Sequence, residues 1–170
     1  LMLCELTALV VTAIVILING GPEGVNFWAS FNPAAILAGG LAGSAGIAFA
    51  FAFASFIGFE ATAIYGEESK DPKKVVPRAT YLAVGVITVL FALTAFAMVT
   101  GMGASHVVET TAKLSTVGKE ALADPAAVLF SLATQYVGPW MATVMSILVL
   151  SSLFAGLLAF QNAASRYLFA

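Results

Sequence analysis

The sequence has few charged residues, one cysteine and one histidine. Charged side chains make up 9% of its 170 residues and hydrophobic ones 61%, with a mean hydropathy of +1.00. This balance excludes an ordinary soluble domain, in which about a quarter of the residues are charged. The single Cys4 excludes an internal disulfide and a thiolate metal cluster. The net charge of -2 implies no nucleic-acid partner, and we interpret His106 as a solvated loop side chain.

Four hydrophobic windows are long enough to cross a membrane, since a spanning helix needs about 20 mostly apolar residues. They lie at about 1–18, 45–65, 79–101 and 140–165. A shorter helix at about 126–136 cannot span, so we expect it at the outer interface. The first window contains Glu5 and has no basic leader, which excludes a signal peptide. Hydrophobic windows reach nearly to both ends of the chain, so we expect the middle of a longer polypeptide.

The distribution of basic residues predicts how the windows are oriented. The loop at 66–78 holds Lys70, Lys73, Lys74 and Arg78, a concentration typical of the cytoplasmic side. The loops at 19–43 and 102–135 have no positive excess, and we place them outside the cytoplasm. The sequence therefore predicts a multi-pass protein, with Pro77 in the first turn of the third helix.

The second window differs from the others because it contains a glycine and a carboxylate near its end. A charge near the bilayer centre costs about 2.5 to 3.5 kcal/mol, so Glu60 must lie near the edge, be neutral or paired, or face water. Gly58 is a weak helix former by about 1 kcal/mol relative to Ala. A helix that breaks there must line a polar cavity or be buried in protein. This combination is typical of the binding sites of secondary transporters, although a carboxylate held near the interface by a neighbouring helix stays an alternative.

The segment FASFIGFEATAIYGEESKDPKKVVPRAT, residues 53–80, resembles the sixth transmembrane helix and following loop of the amino acid-polyamine-organocation (APC) permeases. The segment NAASRYLFA, residues 162–170, is similar to the end of the eighth helix of that family. The resemblance implies an all-α, polytopic membrane helix bundle with a discontinuous helix at 45–65. The chain would be a fragment, helices five to eight, of a fold of about twelve helices built from two inverted five-helix repeats.

The resemblance also implies a function: secondary active transport of amino acids across the cell membrane by alternating access, through proton-coupled symport or exchange. In the family, the sixth helix unwinds around the F-x-G segment and its carbonyls bind the substrate α-amino group. The implied substrate-site residues are Ala54, Ser55, Phe56, Ile57 and Gly58. Ala54 and Ile57 are expected to present their carbonyls, and Glu60 matches a carboxylate linked in some members to gating or proton coupling. The implied partners are an amino acid, protons and the lipid bilayer, and we expect no cofactor.

Three other functions stay open at this point. The protein could be a permease or exchanger for another small amine or polyamine. It could also be a membrane scaffold that transports nothing, although a scaffold would not need Gly58 or Glu60. A membrane-embedded hydrolase would need a nucleophile with its base, or a metal cluster, and the sequence has no His pair and no G-x-S-x-G segment.

Overall fold

The computed structural model describes residues 2–37, 44–58, 70–114 and 125–169. Within these ranges every regular element is an α-helix, which confirms the predicted all-α class. In chain order the helices are α1 (Met2–Asn19), α2 (Phe27–Phe31), α3 (Pro33–Ile36), α4 (Ser44–Ala54), α5 (Pro72–Met102), α6 (Val107–Leu114), α7 (Pro125–Tyr136) and α8 (Pro139–Phe169).

Among the described residues, three helices are long and apolar enough to cross a membrane, namely α1, α5 and α8. The predicted window at 45–65 contains α4, whose 11 residues are too few to cross alone. The remainder of that window, from residue 59 onward, lies outside the described residues, so the count of four spans stays a prediction.

Helix α5 begins at Pro72, whereas the sequence predicted its start at residue 79. Asp71 explains the earlier start, because its carbonyl oxygen accepts hydrogen bonds from the N–H groups of Lys74 (3.2 Å) and Val75 (2.9 Å). Asp is a favoured N-cap residue, and proline is well suited to the first helical position. Pro77 therefore lies inside α5 and not in its first turn. Part of the predicted cytoplasmic loop, residues 72–78, is helical.

The described chain forms two compact units. The first consists of Leu1–Phe31 and Ala92–Ala155. Its core forms where α7 packs between other helices. One cluster joins α7 to α1 and α5, and a second joins α7 to α1 and α8; their buried members include Ile16, Met102, Leu132, Ala133 and Met145. The predicted short helix thus closes the core of this unit, and its location at the outer interface stays a prediction.

The turn after α1 contacts the end of α5 within the first unit. Gly21 has a φ of +62°, and a Cβ atom added there would overlap the carbonyl oxygen of Thr100. On α7, the Tyr136 hydroxyl donates a hydrogen bond of 3.0 Å to the Gly101 carbonyl oxygen. These contacts fix the end of α5 against both α1 and α7.

The second unit consists of Asn32–Phe91 and Gly156–Ala170. It contains α3, α4, the first part of α5 and the last part of α8. Helix α4 has the sequence SAGIAFAFAFA, which carries no charged side chain. This unit holds the candidate functional site, at the end of α4.

Candidate functional site

Helix α4 ends at Ala54, and the next four residues form turns. The last α-helical hydrogen bond runs from the Ser55 N–H to the Phe51 carbonyl oxygen, at 2.9 Å. The Ser55 hydroxyl donates to the same oxygen at 2.8 Å. This carbonyl therefore accepts two hydrogen bonds from one residue, which anchors the start of the turn to the helix.

The turn then tightens from α-helical to 3₁₀-type bonding. The Phe56 N–H donates to the Phe53 carbonyl and the Ile57 N–H donates to the Ala54 carbonyl, both at 3.1 Å. Bonds between residues three apart are a common way to satisfy the carbonyls that a helix leaves free at its C-terminal end. The α-helix thus ends within the window where the sequence predicted a break, and the rest of that window lies outside the described residues.

Gly58 ends the described turn in a backbone conformation that L-residues rarely adopt, with a φ of +109°. A Cβ atom added to this glycine would have no described atom within 4 Å. Among the described residues, the backbone angle and not crowding favours glycine at this position. The weak helix propensity of glycine predicted a break here, and its positive φ is a second reason for the same residue.

The end of α4 is electrostatically negative. Aligned peptide dipoles place about half a negative charge at a helix C-terminus, and the last turn of α4 contains no basic side chain to offset it. The carbonyl oxygens of Phe53 and Ala54 each accept one bond within the turn. Because a carbonyl oxygen has two lone pairs, these atoms can accept a further hydrogen bond from a cationic donor such as an ammonium group.

The side chains of the turn differ in their surroundings. Phe53 and Ile57 are 78% and 65% exposed, whereas Phe56 is partly buried. The Phe56 ring meets the ring of Phe91 on α5 edge to face, with centroids 5.8 Å apart and planes at 74°. The break is therefore tied to a second helix through an aromatic pair.

The structure brings the five predicted substrate-site residues, Ala54 to Gly58, together in one turn. Glu60 lies outside the described residues. Phe91 was missed by the sequence argument, because a phenylalanine in an apolar helix gives no signal that distinguishes it from its neighbours.

A second polar cluster lies in the first unit, where the turns after α1 and α5 meet. The Glu23 carboxylate accepts hydrogen bonds from the backbone N–H and the hydroxyl of Ser105, each at 3.2 Å. His106, which the sequence placed in a solvated loop, is 64% exposed and lies 3.9 Å from Glu23 and 3.7 Å from Glu109. Lys113 donates to Glu109 at 2.6 Å and lowers the pKa of that carboxyl. The cluster is exposed. Glu23 and Glu109 lie near opposite ring nitrogens of His106, so the polar groups do not converge on one point.

Helices α1, α7 and α8 of the first unit line an open cavity of about 230 Å³. Its walls are apolar except for Glu5 and Ser152. Ionisable residues within membrane helices usually face protein or a cavity and not lipid, and Glu5 follows this rule.

Comparisons with known proteins agree on a transport family. A family model described as amino acid permease matches residues 1–170, the whole chain. The chain is also 36% identical, over 63 residues, to proteins named uncharacterized transporters from Mycobacterium bovis and from Mycobacterium tuberculosis. That stretch covers 37% of this chain and 14% of each relative, so the chain matches only a small part of their length. No solved structure matches the chain.

A family match over the full length, together with three apolar helices of spanning length, confirms the resemblance drawn from residues 53–80. The chain belongs to the amino acid permease family of multi-pass membrane transport proteins.

Proposed function

We propose that this chain is part of a secondary active transporter that carries amino acids across the cell membrane by alternating access. The observation that carries the proposal is the end of α4. A permease helix stops inside an apolar segment, and its terminal carbonyls have no basic side chain of the same helix to offset their charge. Discontinuous helices with such ends are how secondary transporters bind small charged substrates.

In this proposal the turn at 54–58 binds the α-amino group of the substrate. The carbonyls of Ala54 and Ile57 accept hydrogen bonds from the ammonium, and the negative pole of α4 favours its charge. Ser55, Phe56 and Gly58 line the same cavity. The Ala54 carbonyl already accepts the Ile57 N–H at 3.1 Å, so the ammonium binds through the second lone pair of that oxygen.

Glu60 is proposed as the gating or proton-coupling group. A carboxylate close to a substrate ammonium can exchange a proton with the aqueous phase when the cavity opens. Its protonation would then couple substrate binding to a proton gradient, giving symport or exchange. The protein needs no cofactor in this mechanism, because the driving force is a gradient.

The first test is uptake by the full-length protein in proteoliposomes, with a panel of amino acids and polyamines, with and without a protonophore. Amino-acid uptake above that of empty liposomes is expected. Loss of accumulation with protonophore supports proton coupling, and uptake that needs only internal amino acid supports exchange. Transport of polyamines without amino acids would favour the alternative substrate class. No uptake of any compound would favour a scaffold.

A competition experiment tests which end of the substrate the α4 turn recognises. The transported amino acid is compared with its N-acetyl derivative, which keeps the carboxylate and side chain but lacks the ammonium. We expect the N-acetyl compound not to compete, because it offers no cation to the carbonyls of the turn. The methyl ester, which keeps the ammonium, is the matched control for loss of the other charge. Equal competition by the N-acetyl derivative would refute amino-group recognition.

A further inference from the structure

We propose that Phe91 is a positioning residue of the substrate site: through the ring of Phe56 it sets the direction in which the carbonyls of the α4 turn point. This inference rests on the proposed function, because it assigns a support to the same site. Phe91 itself is not proposed to touch the substrate.

The contact is specific in geometry. The two rings meet edge to face at 5.8 Å and 74°, which is one of the arrangements that aromatic pairs prefer. Phe56 is partly buried, while its neighbours Ser55 and Ile57 are exposed. Phe56 is therefore less exposed than the neighbouring side chains of the turn, and it is the side chain that contacts α5.

The backbone hydrogen bonds that residues 55–57 donate are local, so a contact with another helix adds a support that these bonds do not give. The N–H groups of Ser55, Phe56 and Ile57 all bond to carbonyls within the last turn of α4. These bonds close the turn but do not fix its direction relative to another helix. Gly58, which has no side chain to pack, follows directly at a φ of +109°. A ring two residues before this position can hold the turn in place only if its partner is rigid.

Phe91 provides that rigidity. It lies well inside α5, a continuous helix of 31 residues. The pair thus connects the turn after α4 to a residue in the middle of a long helix. Removing the Phe91 ring should leave α5 intact and allow the turn at 54–58 to sample other orientations, in which fewer carbonyls converge on the substrate.

The transport test uses Phe91→Ala in the full-length protein, with Phe91→Leu and Phe91→Tyr beside it. Loss of an aromatic pair should raise the KM for amino-acid uptake about 2- to 12-fold, with the maximal rate per molecule within about twofold of the wild type. Phe91→Tyr keeps the ring and should restore the wild-type KM. Val89→Ala, on the same helix at a 67% exposed position, is the matched control and should change neither constant.

A double-mutant cycle tests whether Phe91 acts through Phe56. Once Phe56→Ala has removed the partner ring, Phe91→Ala should add little to the increase in KM. Full additivity of the two changes would overturn the proposal. If Phe91→Ala does not reach the membrane, Phe91→Leu carries the same cycle, since it keeps the apolar bulk and removes only the ring.

A labelling experiment separates this inference from the proposed function, because it needs no substrate. Ser55→Cys is introduced into a full-length background free of other reactive thiols, including Cys4→Ser at the exposed Cys4. Adding Phe91→Ala should change the maleimide labelling rate at position 55 by at least about threefold, and Val89→Ala should not. An unchanged rate overturns the proposal. A changed rate without amino-acid uptake by the wild type overturns the proposed substrate instead.

Discussion

Replacing Gly58 by alanine tests whether the positive φ at the end of the α4 turn belongs to the state that binds substrate. No described atom lies within 4 Å of the new Cβ, so the substitution causes no clash there. Its cost comes from the backbone alone: a φ of +109° is unfavourable for any L-residue, by about 1 to 3 kcal/mol. If binding requires this conformation, the full conformational penalty weakens the affinity for the substrate.

The expected effect follows directly from that cost. A penalty of about 1 to 3 kcal/mol on the binding-competent state raises the apparent Kd about 5- to 160-fold. The measurement is equilibrium binding of the transported amino acid to purified full-length protein, with the amount of protein in the membrane as a check on folding. Gly58→Leu adds bulk to the same backbone cost and should abolish binding while the protein remains in the membrane.

Gly85→Ala is the matched control for this experiment. Gly85 lies inside α5, and a Cβ atom added there also has no described atom within 4 Å, but its φ is not positive. Alanine inside a helix is more stable than glycine by about 0.5 to 1 kcal/mol, so this variant should bind normally. A wild-type Kd for Gly58→Ala, or equal weakening by Gly85→Ala, would refute the reasoning.

Three further predictions concern stability and coupling. Gly21→Ala should have a lower midpoint of thermal unfolding than Gly24→Ala. Both glycines have a positive φ, but only Gly21 lies against the Thr100 carbonyl. Equal midpoints for the two variants, measured by thermal unfolding in detergent, would contradict this. Tyr136→Phe should cost about 0.5 to 1.5 kcal/mol by removing a hydrogen bond. Burial raises the pKa of Tyr136. The contribution of this tyrosine to the free energy of unfolding is therefore complete below the ordinary tyrosine pKa of about 10, and it declines as the pH rises through the raised pKa of the folded state. This part of the decline should be absent in Tyr136→Phe when unfolding is measured from pH 8 to 11. Glu60→Gln should change the pH dependence of uptake more than the substrate affinity, and an unchanged pH profile would remove Glu60 from coupling.

The all-helical class could be predicted from the sequence because long apolar windows allow few alternatives. In lipid each backbone group needs an internal partner, and a helix satisfies all of them within one segment. The same reasoning predicted a break near Gly58. Glycine is a weak helix former, and a carboxylate in an apolar segment is unfavourable unless it is neutral, paired or facing water. These inferences need only local sequence and the nature of the solvent.

The start of α5 and the whole of α6 were missed although the sequence contains signals for both. The basic run before residue 79 was interpreted as loop, yet Asp71 followed by Pro72 is a typical helix start. Between α5 and α7, helix α6 has Glu109 in its first turn and Lys113 in its last, four residues apart. That spacing stabilises an isolated helix and matches the helix dipole at both ends. Charged residues in a loop between membrane helices therefore carry a signal for helix formation as well as for sidedness.

The contact between Phe56 and Phe91 could not be predicted in the same way. Both residues are phenylalanines in apolar segments, where several other phenylalanines have the same local context. Which of them meet depends on the direction in which the turn leaves α4, and that direction depends on the backbone angles at 55–58. A site residue that acts only through tertiary position has no sequence pattern of its own.

The hydrogen bonds of the turn also explain how a membrane helix can end inside an apolar segment. An interrupted helix exposes carbonyls that lipid cannot satisfy, and here the carbonyls of Phe51, Phe53 and Ala54 all accept bonds from Ser55, Phe56 and Ile57. Each of these pairings satisfies one carbonyl at the end of α4. Because an oxygen with one bond can accept another, the ammonium of the proposed substrate could add to the turn without first breaking it. In the proposed function, binding would then require little reorganisation, provided that the turn already points toward the substrate.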